Sequence, residues 1–254
     1  MSVFQSSTHN ILLQTMSAED YAHLEPHLIR IPLPVRLQLH VAADTIEYVY
    51  FPEDGVVSIV SVTLEGTSCE VGLFGREGMS ETATVLGTDR SPHEAYVQVA
   101  GASGLRLPVD VLNEAMDQSA TLRTHLLHYV QAMMIQLSSS IAAAGQTIEK
   151  RLARWLLMCG DRIDGDEIGL THDFIAMMLN VRRPGVSVAL DQLENQHLIR
   201  KRRGTIVIVD QAGLKHLAGG SYGLAEREYH RLLGQPLKKT VIKYEADDGP
   251  RDER

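Results

Sequence analysis

The chain has 254 residues, 44% of them hydrophobic, and a formal net charge of −8. This length and composition are sufficient for two compact domains. The first ten residues have no basic segment followed by an apolar one, and no stretch approaches the roughly 20 apolar residues that span a bilayer. Cys69 and Cys159 lie far apart, which favours a reducing compartment over a disulfide framework. We therefore expect a cytoplasmic protein with no membrane partner.

The charge is divided unevenly along the chain. Residues 1–145 contain 6 Arg, no Lys and 16 acidic residues, a net charge of −10, whereas residues 146–254 contain 18 basic and 16 acidic residues, a net charge of +2. Residues 171–203 alone contain 6 basic and 3 acidic residues. This distribution is typical of a chain in which only one domain contacts nucleic acid.

The N-terminal part of the chain contains one helical segment followed by many short strands. Residues 17–31 have the apolar spacing of an amphipathic helix that Ser17 can cap. Short apolar runs separated by Gly-containing turns follow at residues 45–51, 56–64, 68–74 and 94–100. Strands at this spacing indicate an all-β roll or sandwich.

A long helix is predicted next, from about residue 109 to residue 144. Apolar or small side chains recur there every three or four residues, at Leu122, Leu126, Tyr129, Met133, Leu137, Ser140 and Ala144. Such a stripe commonly packs within its own domain, but its length and its small C-terminal residues favour two copies of the helix lying side by side. We therefore predict a homodimer with this seam as its interface.

Residues 171–199, THDFIAMMLNVRRPGVSVALDQLENQHLI, have the pattern of a helix-turn-helix, and an amphipathic helix at 147–163 precedes them. Thr171 can cap the first helix, and Asn180 occupies the turn, where a left-handed backbone is needed. Pro184 falls in the first turn of the second helix, where its missing N–H costs nothing. The apolar positions that two crossing helices would bury are Ala176, Met177, Leu179, Val186, Leu190 and Leu193.

The exposed face of the second helix is basic. Arg182, Arg183 and Ser187 lie at its N-terminal end, where arginine can contact guanine in a major groove. A basic run and a β-branched run joined by a glycine then predict a hairpin wing, whose cations would lie over phosphates: Arg200, Lys201, Arg202 and Arg203. These residues, with Thr171 and Pro184, are the predicted interface with double-stranded DNA. A helix-turn-helix that binds a palindrome acts as a dimer, which agrees with the predicted homodimer.

Two short helices, at 211–218 and 224–233, complete the predicted elements, and residues 235–254 have the charged, aromatic-poor composition of a disordered tail. We divide the chain into a β-roll sensor domain, a dimerisation helix, a winged helix-turn-helix domain and the tail, at residues 1–113, 114–146, 147–234 and 235–254. The predicted fold class is α+β.

This order of elements resembles the Crp/Fnr superfamily of bacterial transcription regulators, from about residue 18 to residue 233. The resemblance is strongest at VYFPEDGVVSIV (49–60), at EVGLFGREGM (70–79) and in the helix-turn-helix. It implies an N-terminal double-stranded β-helix, a jelly roll similar to cyclic-nucleotide-binding domains, and a homodimer that binds a palindromic operator. RNA polymerase is a further candidate partner. The GREGM form resembles a large branch whose ligands are mostly undefined.

The resemblance also implies an effector pocket between the roll and the dimer helix, with the candidate residues Phe74, Gly75, Arg76, Glu77, Met79, Ser80, His93, Glu94 and Gln136. Two alternatives stay open: the pocket takes a small molecule, or the glycine-rich stretch is only a structural turn. Cyclic-nucleotide binders of the superfamily hold the phosphate with an Arg-Ser pair, which aligns here with His93 and Glu94. A carboxylate there would repel a phosphate, so cyclic AMP is not expected. No iron–sulfur cluster is expected, because the N-terminal cysteine cluster is absent, and no other cofactor is expected.

The predicted recognition helix also departs from the superfamily. Its Arg-Glu…Arg set aligns with Arg183, Pro184 and Val188, so only the first arginine is retained. The half-site is therefore expected to keep one guanine contact and to differ elsewhere.

Two other classes are alternatives to a DNA-binding regulator. One is a ligand-binding or protein-interaction module whose helix-turn-helix is vestigial. The other is a cupin-like metalloenzyme, because its barrel has a similar sequence pattern. The roll lacks the clustered His and Glu ligands of such an enzyme, and no Ser-His-Asp, P-loop or Rossmann signature is present. We therefore expect no catalysis.

Overall fold

The computed structural model describes residues 3–63, 66 and 68–237. They form an N-terminal β-roll, a long helix, and a C-terminal domain of helices with a small sheet. The predicted α+β class and order of elements are confirmed. Most of the predicted tail, residues 238–254, lies outside the described residues.

The roll consists of two antiparallel sheets. Its strands are β1 (Ile29–Leu33), β2 (Gln38–His40), β3 (Tyr48–Pro52), β4 (Val56–Val62), β5 (Ser68–Phe74), β6 (Glu94–Val99) and β7 (Gly101–Pro108). One sheet has the strand order β1-β7-β3, and the other has the order β2-β6-β4-β5. Val49 and Leu105 of the first sheet share one buried core with Val57 and Val97 of the second, as alternating strand positions require.

Short helices border the roll: α1 (Ile11–Gln14), α2 (Ala18–Leu24), α3 (Thr82–Val85) and α4 (Val109–Gln118). Ser17 caps α2 as predicted, since its side chain accepts a hydrogen bond from the Asp20 N–H at 3.0 Å. The predicted helix at 17–31 is too long, because residues from Ile29 onward belong to β1. Pro26 contributes to the early end, because it lacks the N–H that would continue the α-helical hydrogen bonds, and a short 3-10 helix, Glu25–His27, follows α2 instead.

The single helix predicted at 109–144 is two helices, α4 and α5 (Ala120–Ala143), which are separated at Ser119. Ser119 has an extended backbone, and its Oγ accepts from the Leu122 N–H at 3.1 Å, so it caps α5. The Asp20 carboxylate accepts from Ser119 Oγ at 2.5 Å and holds the cap in place. The apolar spacing continues across the break, which is why periodicity alone did not predict it.

The predicted dimer seam on α5 is largely part of the protomer's own core. Leu122, Leu126, Tyr129 and Met133 are buried and belong to the same core as the roll strands. Leu137 and Ser140 are half-buried, and Ala144 alone is exposed. The seam prediction is therefore wrong for Leu122, Leu126, Tyr129 and Met133, because the roll and a later helix of the same chain cover these four residues.

A different stripe of α5 is exposed. Leu127, Met134 and Ile141 are 41%, 58% and 76% exposed and lie seven residues apart. Large apolar side chains at this spacing lie along one face of a helix, as in the seam of a coiled coil. This stripe is not covered by any described part of the protomer.

The C-terminal part contains α6 (Ile148–Gly160), β8 (Glu167–Gly169), α7 (His172–Met178), α8 (Arg183–Asn195), β9 (Ile199–Arg202), β10 (Thr205–Ile208), α9 (Gln211–Ala218) and α10 (Leu224–Leu233). The predicted wing is β9 and β10, and β8 extends it to the order β8-β10-β9. With three residues, β8 is too short for alternation to predict it. Helix α10 packs against α5, with Tyr229 and Leu233 in the core of the roll.

A buried ion pair joins the two halves of the molecule. Arg162, just after α6, donates from Nε to Glu77 Oε1 at 2.7 Å, and both side chains are at most 3% exposed. Glu77 Oε2 also accepts from the Gly75 N–H at 3.0 Å, and Arg162 Nη1 donates to the Met158 carbonyl at 2.6 Å. The Tyr229 hydroxyl donates to the Glu77 carbonyl at 2.6 Å. Each charge thus has its partner and further hydrogen bonds, which offset the cost of removing it from water.

We expect Arg162→Met to lower the free energy of unfolding by about 3–5 kcal/mol, because it leaves the Glu77 carboxylate buried without its partner. The matched control is Arg123→Met, which removes an exposed pair with Asp117 and should cost less than about 1 kcal/mol. Urea unfolding followed by the fluorescence of Trp155, the chain's one tryptophan, measures both. Equal effects of the two substitutions would contradict the structural role of the buried pair.

Candidate functional site

The turn between α7 and α8 has the predicted local structure. Thr171 Oγ1 accepts from the Phe174 N–H at 3.3 Å and caps α7. Asn180 has a left-handed backbone, with φ 48°, and Pro184 lies in the first turn of α8. These three local predictions are confirmed. They fix where α8 begins and which of its sides faces inward.

The inward side of α8 is fully buried. Val186, Leu190 and Leu193 share a core with α6 and the wing. Ala176 and Met177 of α7, predicted to be buried in the same way, are only half-buried. Met177 Sδ instead accepts from the Tyr96 hydroxyl of β6 at 3.5 Å, so this side of α7 faces the roll.

The outward side of α8 presents its N-terminal arginines to solvent. Arg182 is exposed at the N-cap, and the Arg183 side chain is 64% exposed. Arg183 Nε lies 3.4 Å from Asp173 Oδ1, and both groups are exposed, so this pair is weak and leaves the guanidinium available. Ser187 is half-buried, with its Oγ 3.2 Å from His172 Nδ1.

Two further positions on the same side were not predicted as contact residues. Val188 and Gln192 are exposed one and two turns after Pro184. The sequence analysis named Val188 only because it replaces the second arginine of the superfamily's Arg-Glu…Arg set. The four-residue spacing from Pro184 could have predicted both, since residues at i and i+4 share one face of a helix.

The wing cations differ from one another in their contacts. Lys201 Nζ pairs with Asp191, and with Glu194 Oε2 at 3.0 Å, so Lys201 ties the wing to α8. Arg202 pairs with Glu167 of β8. Lys201 and Arg202 are therefore paired within the protein, which the sequence did not indicate. Within the ranges that the structure describes, Arg200 and Arg203 form no ion pair, and both are exposed.

A cavity of about 700 Å³ lies between the roll, α5 and the C-terminal domain. Of the predicted effector residues, Phe74, His93 and Glu94 line it, and Leu137 and Ser140 of the predicted dimer seam line it as well. The remaining predicted effector residues are not part of its lining: Gly75, Arg76, Glu77, Met79, Ser80 and Gln136. The structure therefore does not bring these six residues into this cavity.

Their own contacts explain why. Glu77 forms an ion pair with Arg162. Arg76 forms ion pairs with Asp54 at 3.3 Å and with Asp164 at 2.9 Å. Arg76 Nε also donates to the Arg162 carbonyl at 3.1 Å. The Arg76 and Glu77 side chains thus hold the roll against the C-terminal domain.

The rest of the glycine-rich stretch is also structural. The Met79 carbonyl accepts from the Tyr129 hydroxyl at 2.9 Å, and Ser80 Oγ accepts from the Tyr50 N–H at 2.9 Å. A Cβ at Gly75 would lie 2.7 Å from the Gly55 carbonyl oxygen, so only glycine fits. Gln136 Oε1 accepts from the Leu73 N–H at 3.4 Å. The alternative of a structural turn therefore holds for this stretch.

Glu70 of β5 forms a second link between the halves. Its carboxylate accepts from Ser58 Oγ of the roll and, at 2.9 Å, from Trp155 Nε1 of α6. Burial raises the pKa of Glu70 to about 7, although these two hydrogen bonds act in the opposite direction. Glu70 and Trp155 both line the cavity.

Among residues 3–63, 66 and 68–237, no group of three or more His, Cys, Asp or Glu side chains is arranged to hold a metal ion. The helices within these ranges include none that is both long and apolar enough to cross a membrane.

Residues 150–217 match the family model of the Crp-like helix-turn-helix domain. The fold is similar to that of a CRP-family transcriptional regulator from Thermus thermophilus (TM-score 0.63, 18% identity, 76% of this chain and 97% of that one). It is also similar to FixK2 from Bradyrhizobium japonicum (TM-score 0.64, 17% identity, 76% and 98%). A protein from Eubacterium rectale assigned to the Crp/Fnr family has a TM-score of 0.59 at 18% identity, covering 82% and 97%. No curated sequence matches the chain.

The chain therefore contains a Crp-like helix-turn-helix domain and has the fold of the Crp/Fnr transcription regulators. The resemblance that the sequence indicated is confirmed at this level.

The buried Glu70 carboxylate predicts how the stability of the fold depends on pH. In the unfolded chain the Glu70 carboxyl has the ordinary glutamate pKa of about 4.5. The folded protein loses the Glu70 proton near pH 7, so the folded state binds the extra proton between these values. The wild type should therefore lose stability as the pH rises through this window.

We expect the free energy of unfolding of Glu70→Gln, relative to the wild type, to rise by about 3 kcal/mol between pH 4 and pH 8, because the variant cannot ionise there. Urea unfolding at a series of pH values measures it. Glu114→Gln is the control for the loss of an exposed carboxylate. A difference between Glu70→Gln and wild type that does not change with pH would show that Glu70 is not held in this way.

Proposed function

We propose that this protein is a homodimeric, sequence-specific DNA-binding transcription regulator of the Crp/Fnr type. The observation that carries the proposal is the division of α8 into two sides. Its inner side is fully buried, whereas Arg182, Arg183 and Val188 are exposed on its outer side. A helix anchored in this way and basic at its N-terminal end is suited to a DNA major groove.

The exposed side chains of α8 suggest how bases are distinguished. The Arg183 guanidinium can donate two hydrogen bonds to guanine N7 and O6. Val188 can contact a thymine methyl group, and Gln192 can form a bidentate pair with adenine. Arg200 and Arg203 of the wing are the cations best placed for phosphates, since Lys201 and Arg202 are paired within the protein.

The proposed homodimer uses the exposed stripe of α5. Leu127, Met134 and Ile141 cover about 21 Å of the helix, at 1.5 Å per residue. Two such stripes packed side by side around a two-fold axis would remove these side chains from water. Two copies of α8 would then be able to contact half-sites about 34 Å apart, which is one turn of DNA.

The effector and the further partners belong to the proposal as well. Glu94 lines the cavity at the position where cyclic-nucleotide binders of the superfamily supply a serine next to an arginine, so we do not expect cyclic AMP as the effector. We expect no catalytic activity and no cofactor, and RNA polymerase stays a candidate partner that the resemblance implies.

The proposal is tested by a selection of random duplex DNA on the purified protein at two salt concentrations. We expect enrichment of a two-fold symmetric site that persists at the higher salt, because base contacts depend less on salt than phosphate contacts do. If no site is enriched, the selection is repeated with an extract of cell metabolites. Failure of both selections would contradict the proposal and favour a module with a vestigial helix-turn-helix.

We expect Arg183→Ala to weaken binding to the selected site by about 1–3 kcal/mol, roughly 5- to 150-fold, because one bidentate guanine contact is lost. Titration of labelled duplex followed by fluorescence anisotropy measures the change. Arg123→Ala is the matched control, because it removes an exposed arginine from α5. Wild-type affinity of Arg183→Ala would show that α8 does not contact the bases as proposed.

We expect Ile141→Asp to shift the dimer toward monomer by about 100-fold or more in the dissociation constant, about 2.7 kcal/mol, because two carboxylates would face each other in an apolar seam. Light scattering coupled to gel filtration measures the mass. Leu86→Asp, which changes an exposed apolar residue on the roll, is the control. A dimer of unchanged stability in Ile141→Asp would place the interface elsewhere.

A further inference from the structure

The cavity between the two halves is large enough for a small organic molecule. Its volume of about 700 Å³ lies within the range of ligand pockets. Its walls come from both halves, with Phe74 of β5, Leu137 of α5 and Trp155 of α6 among them. Leu179 and Asn180, in the turn of the helix-turn-helix, also line it. An occupant would therefore contact the roll and the DNA-binding unit at the same time.

The lining is mostly apolar, and its carboxylates differ in how they are satisfied. Glu70 has both oxygens hydrogen-bonded, to Ser58 and to Trp155. Glu81 and Glu94 also line the cavity, yet within the described part of the chain neither carboxylate accepts a hydrogen bond or pairs with a cation. Two carboxylates are thus left without a partner.

Glu81 is the more unusual of these two. It precedes α3 with a left-handed backbone, φ 57°, and its side chain is half-buried. Burial raises the pKa of Glu81 to about 7, with no hydrogen bond or cation to counter it. A carboxylate held in such surroundings is stabilised by an ammonium group that donates to it.

A second polar group of the lining is also unsatisfied. His93 Nδ1 is buried, and no described residue forms a hydrogen bond with it. As an acceptor, this nitrogen can take a hydrogen bond from an N–H of a bound molecule.

The arginines of the lining are each attached to the backbone. Arg90 Nη1 donates to the Ala43 carbonyl at 3.3 Å, Arg154 Nε donates to the Ser221 carbonyl at 2.8 Å, and Arg151 donates to the Leu179 carbonyl. None of them forms an ion pair with Glu81 or Glu94 among the described residues. The cation that would complement these two carboxylates is therefore not supplied by the surrounding side chains.

We propose that this cavity binds an amphipathic organic amine. The apolar body lies among Phe74, Leu137 and Trp155, and the ammonium group donates to the Glu81 carboxylate, with His93 Nδ1 as a further acceptor. Because the occupant contacts Leu179 and Asn180, its binding changes the affinity of the helix-turn-helix for DNA. Only this regulatory part rests on the proposed function.

The chain provides its own probe for the test. Trp155 is the one tryptophan and lines the cavity, so its fluorescence reports on an occupant. Octylamine is titrated at pH 8 below its micelle concentration, in parallel with 1-octanol and octanoate, which have the same apolar chain but no cation. We expect octylamine to bind at least about tenfold more tightly than either, because a hydrogen bond to a charged group is added.

We expect Glu81→Gln to bring octylamine to within about twofold of 1-octanol, with little change for 1-octanol itself. Glu114→Gln, which removes a carboxylate outside the cavity, should retain the wild-type preference. The melting temperature of each variant shows that it is folded, and for the wild type that temperature should rise with octylamine concentration. The proposal is overturned if octylamine does not bind, if octanoate binds equally well, or if Glu81→Gln keeps the preference for the amine.

Binding of the selected duplex, measured with and without octylamine, separates this proposal from the proposed function. Amine binding without any DNA binding would refute the proposed function and keep the amine site. DNA binding without amine binding would refute the amine site and keep the proposed function. Amine binding that leaves the DNA affinity unchanged would refute the regulatory part.

Discussion

Glu77 in the roll and Arg162 after α6 carry opposite charges that are almost completely withdrawn from water, 85 residues apart in the chain. Each is stable in that position only because the other is there, together with the Gly75 N–H and the Met158 carbonyl. The pair fixes how the C-terminal domain sits on the roll. Arg76, through Asp164 and the Arg162 carbonyl, and Tyr229, through the Glu77 carbonyl, act at the same contact.

This contact has consequences for the rest of the molecule. Once α6 is held against the roll, Trp155 reaches Glu70 and α7 packs against β5. The Tyr96 hydroxyl of β6 donates to Met177 of α7. The exposed stripe of α5 and the exposed side of α8 are then held in a fixed arrangement within one protomer. In a homodimer packed through α5, this arrangement of α5 and α8 in each protomer would set the distance between the two α8 helices. The cavity also lies between the roll and the C-terminal domain, with Glu70 and Trp155 in its lining, so an occupant would act on the arrangement that sets this distance.

Much of the helix-turn-helix could be predicted from the sequence because its signals are local. The Thr171 cap, the Asn180 turn and Pro184 in the first turn of α8 each act within four residues of their own position. The roll was predictable for a related reason, since strand alternation and Gly turns are visible without knowledge of the partner strand.

The contacts between distant residues could not be predicted in this way. Periodicity showed that α5 has an apolar face but not that the roll and α10 cover it, so the exposed stripe at Leu127, Met134 and Ile141 was missed. Basic residues in the wing looked alike, although Lys201 is paired with Asp191 and Arg203 is not paired within the described ranges. Glu77 looked like a ligand-binding residue because nothing in its own neighbourhood of the sequence points to Arg162.

The most direct test of the account is a hydroxyl-radical footprint of the protein on a selected duplex. The account predicts two protected regions related by two-fold symmetry, with centres about 34 Å apart, one turn of DNA, and on the same side of the duplex. A single protected region, or two regions whose separation varies from one bound site to another, would contradict a dimer in which the two recognition helices are held at a fixed distance.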